Sequence, residues 1–281
     1  MVVETQERKE VPKTVHVSVP HRAQPAGTVL LRVFRYNPNT KDEPTMVTFR
    51  VPVTQGMTVL DALLWAKEHV DPGLALRYSC RMGICGSCGM MINGEPKLGC
   101  ETQIAELGAA TVEVGPLPNY PIVRDVATDF TDFFSHHRRI KPYLIHKDNG
   151  GLKPVEREVL QTEEQKLGYY QFTMCIMCGL CDAACPIVAM DQEFLGPQAL
   201  AQAYRFAADS RDEGWPERAA IADSPHGCFR CELAGSCSAV CPKGVDPALG
   251  VQLLKREVLR RRFRIGGFLV KAPARRQRSR L

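Results

Sequence analysis

Hydrophobic and polar residues alternate over the first part of the chain with the period of two that is typical of β-strands. The alternation covers Val29–Val33 and Val47–Val53, which predicts two strands. Thr58 is a suitable N-cap for a following helix that continues to Val70 and stops before Asp71-Pro72-Gly73.

A hairpin and a last strand follow further along this part of the chain. Met90–Ile92, the turn Asn93-Gly94 and Leu98–Ile104 predict the hairpin, and Thr111–Val114 predicts the strand. Residues 28–120 are therefore expected to form a small domain with a mixed β-sheet and one helix.

From residue 121 onward the pattern changes to a helical period, through Val123–Phe134, and no strand is predicted beyond it. Gln198–Ala208 and Ala248–Phe263 are predicted helices, and Asp246-Pro247 provides an N-cap and a first-turn proline for the second. Residues 121–263 are expected to be all-helical, so the predicted fold class is α+β.

Composition is ordinary for a folded soluble protein, with 44% hydrophobic and 24% charged residues among 281. The chain contains no apolar run near the ~18 residues that cross a bilayer. Met1–Lys13 is polar and lacks the apolar core of a signal peptide. We therefore expect a protein that is neither secreted nor membrane-spanning.

Charge is concentrated at the C-terminal end of the chain. Residues 255–281 hold eleven Lys or Arg and one Glu, a net charge of +10, so the overall +5 leaves −5 for residues 1–254. Residues 1–27 are predicted to be a polar arm. The basic tail, residues 264–281, is interpreted as lying near an anionic membrane surface, because it has few aromatic residues for stacking on nucleic-acid bases. A solvated tail is the alternative.

The chain has 12 cysteines, and they form three groups of four. The groups are Cys80, Cys85, Cys88 and Cys100; Cys175, Cys178, Cys181 and Cys185; and Cys228, Cys231, Cys237 and Cys241. Without an export signal these thiols are expected to be reduced, which favours metal binding over a disulfide framework.

The first group has the C-x₄-C-x₂-C spacing of plant-type 2Fe–2S sites, with Cys100 as a distant fourth ligand. Gly83, Gly86 and Gly89 allow the tight bend that brings the three nearby thiolates to one cluster. A structural zinc site is the alternative, although zinc sites more often pair C-x₂-C knuckles.

The second group is the bacterial ferredoxin run C-x₂-C-x₂-C-x₃-C-P. In two-cluster ferredoxins the last cysteine of such a run binds the other cluster, so Cys185 should bind the cluster of the third group. In exchange, the cysteine that precedes a proline in the third group, Cys241, should bind the cluster of the second group. The predicted 4Fe–4S ligands are Cys175, Cys178, Cys181 and Cys241.

The third group repeats this run with Ala234 in place of the middle cysteine. Alanine cannot bind iron, which predicts a 3Fe–4S cluster on Cys185, Cys231 and Cys237. Cys228 is left over. It is interpreted as a buried free thiol, and the alternative is that it replaces the missing ligand and completes a second 4Fe–4S cluster.

These motifs resemble those of the iron–sulfur subunit of succinate dehydrogenase and fumarate reductase (respiratory complex II). The matching segments are Ser79–Gly89, Pro121–Asp125, Ile140–Tyr143 and Cys241–Pro247, and the loop is closest to the fumarate-reductase branch. The resemblance covers residues 28–262.

The resemblance implies a β-grasp 2Fe–2S ferredoxin domain followed by a helical ferredoxin-like domain. It also implies a partner flavoprotein with FAD, membrane-anchor subunits and a quinone, with this chain carrying the electrons of a reaction of the tricarboxylic acid cycle. We expect no catalytic dicarboxylate residue in this chain, and a peripheral location on the cytoplasmic face of the plasma membrane.

The family's quinone site lies beside the 3Fe–4S cluster. The resemblance places Pro186, Met190, Glu232, Gln252 and Lys255 in its vicinity. Met190 and Glu232 depart from the mitochondrial-type pattern of tryptophan and histidine, which favours menaquinone. Lys255 also has a simpler interpretation as a solvated helix lysine.

Two other functions remain open on the sequence. One is the iron–sulfur subunit of a different flavin-dependent oxidoreductase. The other is a zinc-stabilised nucleic-acid-binding protein, although we expect no nucleic acid as partner. The pair His136-His137 is interpreted as part of a solvated helix face because arginines flank it.

Overall fold

The computed structural model describes residues 27–40, 43–146 and 158–263. The N-terminal domain is a five-stranded sheet with the order β2-β1-β5-β3-β4. Its strands are β1 Gly27–Arg35, β2 Thr45–Val53, β3 Gly89–Ile92, β4 Glu95–Leu98 and β5 Thr111–Gly115. All neighbouring pairs are antiparallel except β1 and β5, which are parallel.

The alternating residues form one buried face of this sheet. Val29, Leu31 and Val33 of β1 are buried, and α1 (Val59–His69) provides further core residues of the same domain. Thr58 caps α1 in a capping box with Asp61, as the sequence predicts. The helix ends one residue earlier than predicted.

The hairpin turn is confirmed at Asn93-Gly94, where both residues have positive φ (49° and 80°). This is the backbone of a type I′ turn, which matches the twist of the flanking strands. The predicted second strand, Leu98–Ile104, is wrong except at its first residue, because β4 starts directly after the turn and ends at Leu98. The chain turns after Leu98 and brings Cys100 Sγ within 3.2 Å of the backbone N–H of Gly83 in the cysteine loop. A short helix, α2 Ile104–Leu107, then leads into β5.

The segment that follows residue 121 corrects the all-helical prediction. β6 (Ile122–Arg124) and β7 (Ala127–Thr128) form a two-stranded antiparallel hairpin, and α3 begins only at Thr131 and ends at Arg139. The buried Asp125 in the turn accepts hydrogen bonds from the backbone N–H of Tyr36 and Ala75 and from Arg35 Nε. These long-range bonds hold the hairpin against the first domain.

The remaining elements are helical within the described residues. They are α4 Glu163–Leu167, α5 Tyr170–Thr173, α6 Leu180–Ala183, α7 Pro186–Met190, α8 Gly196–Ala208, α9 Trp215–Ala222, the 3₁₀ turn Cys228–Arg230, α10 Ser236–Ala239 and α11 Pro247–Arg262. The two long helices, α8 and α11, pack on each other and match their predicted positions within two residues. Asp246 caps α11 by accepting from the backbone N–H of Leu249.

Each domain has its own hydrophobic core, and the first core extends into the second domain. Cys178, Leu180 and Ala183 of the helical part pack into the core of the sheet domain. No helix in the described ranges is both long and apolar enough to cross a membrane. The predicted arm, residues 1–27, lies outside the described residues except for Gly27, and the tail, residues 264–281, lies wholly outside them.

Candidate iron–sulfur sites

The loop between residues 80 and 89 points backbone N–H groups at cysteine sulfurs. Cys80 Sγ accepts from the backbone N–H of Ile84 (3.3 Å) and Cys85 (3.2 Å), and Cys100 Sγ accepts from that of Gly83 (3.2 Å). The bend depends on left-handed backbone at Gly83 (φ 69°) and Gly86 (φ 73°). A loop with N–H donors facing its own sulfurs suits thiolate ligands.

The cysteines of this loop differ in electrostatic environment. A hydrogen bond from the Ser87 hydroxyl, aided by the Cys80 backbone, lowers the pKa of Cys85 to about 6. Burial raises the pKa of Cys88 to about 12. The lowered pKa of Cys85 favours its thiolate form, whereas the thiolate form of Cys88 requires a nearby positive charge such as that of iron.

Four cysteines from two segments surround one cavity in the helical domain. They are Cys175, Cys178, Cys181 and Cys241. Gln198 and Gln202 of α8 line the same cavity. Burial raises the pKa of Cys178 to about 12, so this site also disfavours bare thiolates.

Three other cysteines, Cys185, Cys231 and Cys237, line a second cavity. Ala234 also lines it and is exposed. The structure thus brings together the two cysteine sets that the sequence predicts, including the exchange of Cys185 and Cys241 between the two runs.

The two runs share one backbone conformation. Cys178 lies between two left-handed residues, Met177 (φ 54°) and Gly179 (φ 77°), and Ala234 lies between Leu233 (φ 59°) and Gly235 (φ 78°). In each run the glycine immediately precedes a one-turn helix, α6 or α10. Ala234 therefore occupies the structural position of Cys178, which supports the alignment made from the sequence.

Cys228 does not line either cavity, although it is three residues from Cys231. Its side chain is fully buried, and burial raises its pKa to about 12. It packs in the core of the helical domain, in the short 3₁₀ turn before Cys231. This placement favours the buried free thiol over the alternative ligand.

The cysteine loop of the sheet domain lies directly against the first cavity. A Cβ atom placed on Gly86 would stand 2.8 Å from Cys178 Cα. Around this contact, Tyr120 Oη donates to the carbonyl of Gly179 (2.9 Å), and Asn119 Nδ2 donates to carbonyls near the end of α6. Lys243 Nζ also pairs with Glu101 Oε1 across the two domains (2.9 Å).

Of the five candidate quinone residues, two line the second cavity and the other three do not. Pro186 and Glu232 line it, and Met190 is 66% exposed at the end of α7. Lys255 Nζ donates to the carbonyl of Cys231 (2.6 Å), so it is not a solvated lysine. Gln252 Nε2 is buried and has no hydrogen-bond partner among the described residues.

Polar residues that no sequence motif indicated also lie beside these sites. His137 is half-buried and contacts Gln198, which corrects its placement on a solvated face. Asn119 and Tyr120 join the two domains. Their local sequence has no periodic pattern or motif spacing, so only the long-range packing identifies them.

Two families of known domains match the chain. The 2Fe-2S iron-sulfur cluster binding domain matches residues 30–135, and the 4Fe-4S dicluster domain matches residues 171–245. The chain is 44% identical to the fumarate reductase iron-sulfur subunit of Mycobacterium tuberculosis, over 81% of this chain and 91% of that protein. It is 37% identical to the succinate dehydrogenase iron-sulfur subunit of Coxiella burnetii, over 81% of this chain and 95% of that protein.

A solved structure is also similar. A chain of the Mycobacterium smegmatis Sdh1 complex in the apo form superposes with a TM-score of 0.75 at 27% sequence identity. The similarity covers 87% of this chain and 100% of that chain.

Proposed function

This chain belongs to the family of fumarate reductase and succinate dehydrogenase iron–sulfur subunits, and we propose that it relays electrons between the FAD of a flavoprotein subunit and a quinone. Electron transfer within an oxidoreductase complex is the activity of this family. The membership decides against the zinc-stabilised nucleic-acid-binding alternative. The observation that carries the proposal is the grouping of eleven cysteines at three sites, namely the loop together with Cys100 and the two cavities.

We propose that the loop binds a 2Fe–2S cluster through Cys80, Cys85, Cys88 and Cys100. The backbone N–H groups of Gly83, Ile84 and Cys85 support this assignment, because they donate to sulfurs of the same set. Such donors stabilise the added negative charge of a reduced cluster.

The first cavity is proposed to hold a 4Fe–4S cluster on Cys175, Cys178, Cys181 and Cys241. The second is proposed to hold a 3Fe–4S cluster on Cys185, Cys231 and Cys237. The methyl group of Ala234, standing where the first run has Cys178, supports the smaller cluster because it offers iron no ligand.

When bound, the three clusters supply one-electron carriers, and the chain's own residues set their arrangement. The contact of Gly86 with Cys178 holds the first two sites side by side. Cys185 and Cys241 each belong to one run and line the other run's cavity, so the same two chain segments build both cavities. The loop site therefore adjoins the first cavity, and the first cavity adjoins the second, which is the order of a linear relay from the sheet domain into the helical domain.

The second cavity is proposed to face the quinone and the membrane-anchor subunits. Leu233, which lines it, is 55% exposed, and Met190, at the end of the helix that begins with the lining residue Pro186, is 66% exposed. Lys255 and Gln252 place polar groups on the α11 side, and the resemblance favours menaquinone. A peripheral location on the cytoplasmic face of the plasma membrane belongs to the same proposal.

Cluster content is testable on the anaerobically purified complex with low-temperature EPR and with iron and sulfide analysis. The proposal predicts a 3Fe–4S signal in the oxidised sample and 2Fe–2S and 4Fe–4S signals after reduction. A second 4Fe–4S signal in place of 3Fe–4S would assign Cys228 as a ligand. Zinc without iron would overturn the electron-transfer role.

A further inference from the structure

Gln198 places an uncharged amide against a proposed cluster ligand. Its side chain is 2% exposed, and it lines the cavity formed by Cys175, Cys178, Cys181 and Cys241. Gln198 Nε2 lies 3.9 Å from Cys175 Sγ and 3.2 Å from His137 Nδ1. Gln198 Oε1 is buried and has no hydrogen-bond partner within the described part of the chain.

The chemistry of the neighbours fixes the orientation of this amide. The opposite orientation would turn the amide oxygen toward the sulfur of Cys175, and an anionic thiolate requires a donor there. With Nε2 toward Cys175, His137 Nδ1 must accept, so the ring carries its proton on Nε2. Burial, with the nearby charge of Arg205, lowers the pKa of His137 and keeps the ring neutral.

This orientation is maintained even though it leaves a buried oxygen unpaired. Buried polar groups without partners are uncommon in folded proteins, and they recur at functional positions. The backbone N–H of Gln198 also donates to Asp182 Oδ1 (3.2 Å), which fixes the start of α8 and the origin of the side chain. The amide is therefore held in place from both ends.

Resting on the proposed function, we propose that Gln198, oriented by His137, raises the reduction potential of the 4Fe–4S site by donating a hydrogen bond to Cys175 Sγ. Hydrogen bonds to cluster sulfurs stabilise the reduced, more negative state, and outer groups that orient ligands tune a metal site. Gln198 is a positioning and tuning residue, since the relay itself requires only the cysteines.

The test is an EPR redox titration of the 4Fe–4S signal in the purified complex. Gln198→Leu keeps the bulk of the side chain and removes the donor. We therefore expect the equilibrium constant for reducing the cluster to fall about tenfold, which lowers the midpoint potential by about 59 mV for one electron. Gln202→Leu is the matched control. Gln202 lines the same cavity at 4% exposure, but its amide donates to the carbonyl of Phe172 (2.8 Å).

The expected result is a lower potential in Gln198→Leu and an unchanged one in Gln202→Leu. Equal potentials in the wild type and Gln198→Leu, or an equal fall in both variants, would overturn the inference. Either result would leave the proposed relay intact. If the wild-type complex showed no 4Fe–4S signal, the proposed function itself would fail.

A double-mutant cycle tests the role of His137. His137→Leu should shift the potential in the wild-type background and have no further effect in the Gln198→Leu background, because His137 acts only through the amide. Equal shifts in both backgrounds would show that His137 acts independently and would contradict its positioning role.

Discussion

The contact between Gly86 and Cys178 makes a sharp prediction, because it joins the cysteine loop of the sheet domain to the first cavity of the helical domain. Gly86 has a φ of 73°, and an added Cβ would lie 2.8 Å from Cys178 Cα and 2.9 Å from Cys178 Cβ. Both atoms belong to a buried residue. Gly86→Ala must therefore move the two loops apart.

The size of the effect follows from two contributions. Ordinary contact begins at 3.4 Å, so the 2.8 Å approach requires a shift of about 0.6 Å. The left-handed backbone costs an alanine about 1–2 kcal/mol, and overpacking a well-packed contact costs about 1–3 kcal/mol more. Gly108→Ala is the matched control, because Gly108 has a φ of 59° and an added Cβ there meets no described atom within 4 Å.

The measurement is the thermal midpoint for loss of visible cluster absorbance in the two variants, together with the rate at which succinate reduces the 4Fe–4S site. Both variants carry the cost of an alanine in left-handed backbone, so only the overpacking cost of about 1–3 kcal/mol separates them. At about 2 °C per kcal/mol, Gly86→Ala should therefore melt about 2–6 °C below Gly108→Ala. Its electron transfer should also be slower. Equal melting and equal rates in both variants would show that this contact does not couple the two sites.

Two further predictions concern Ala234 and Asp209. Ala234→Cys should convert the 3Fe–4S signal into a second 4Fe–4S signal, because Ala234 stands at the position of Cys178 in the other run; an unchanged oxidised-state EPR spectrum would argue against that equivalence. Burial by itself would raise the pKa of Asp209, but hydrogen bonds from Arg211 outweigh it and lower the pKa below the ordinary 3.8. A lowered folded-state pKa contributes stability above pH 3.8 that is lost as the pH falls through the folded value. Denaturant unfolding should therefore show Asp209→Asn to be less stable than wild type at pH 7, with a difference that shrinks below about pH 3.8; a constant difference would contradict the ion pair as its cause.

Local sequence patterns predicted the structural features that depend on interactions between residues close together in the chain. The capping box at Thr58, the hairpin turn at Asn93-Gly94 and the N-cap at Asp246 each depend on residues within a few positions of one another. The division of the cysteines was also predictable, because the ferredoxin run carries its own rule for the last cysteine.

The remaining features depend on contacts between distant residues. The hairpin of β6 and β7 forms around Asp125, whose partners Arg35 and Ala75 lie 90 and 50 positions away. The pair His137 and Gln198 is separated by 61 positions. No periodicity or spacing in the sequence indicates such pairs, so they could not be predicted before the fold was known.

The most direct test of the relay is to follow the clusters of the intact complex by EPR after freezing it with its substrates. We expect succinate to reduce the oxidised clusters and a menaquinone analogue to reoxidise them. We also expect fumarate to reoxidise clusters that have been reduced chemically. Clusters that are present but exchange no electrons with succinate, fumarate or quinone would show that this chain is not the electron relay.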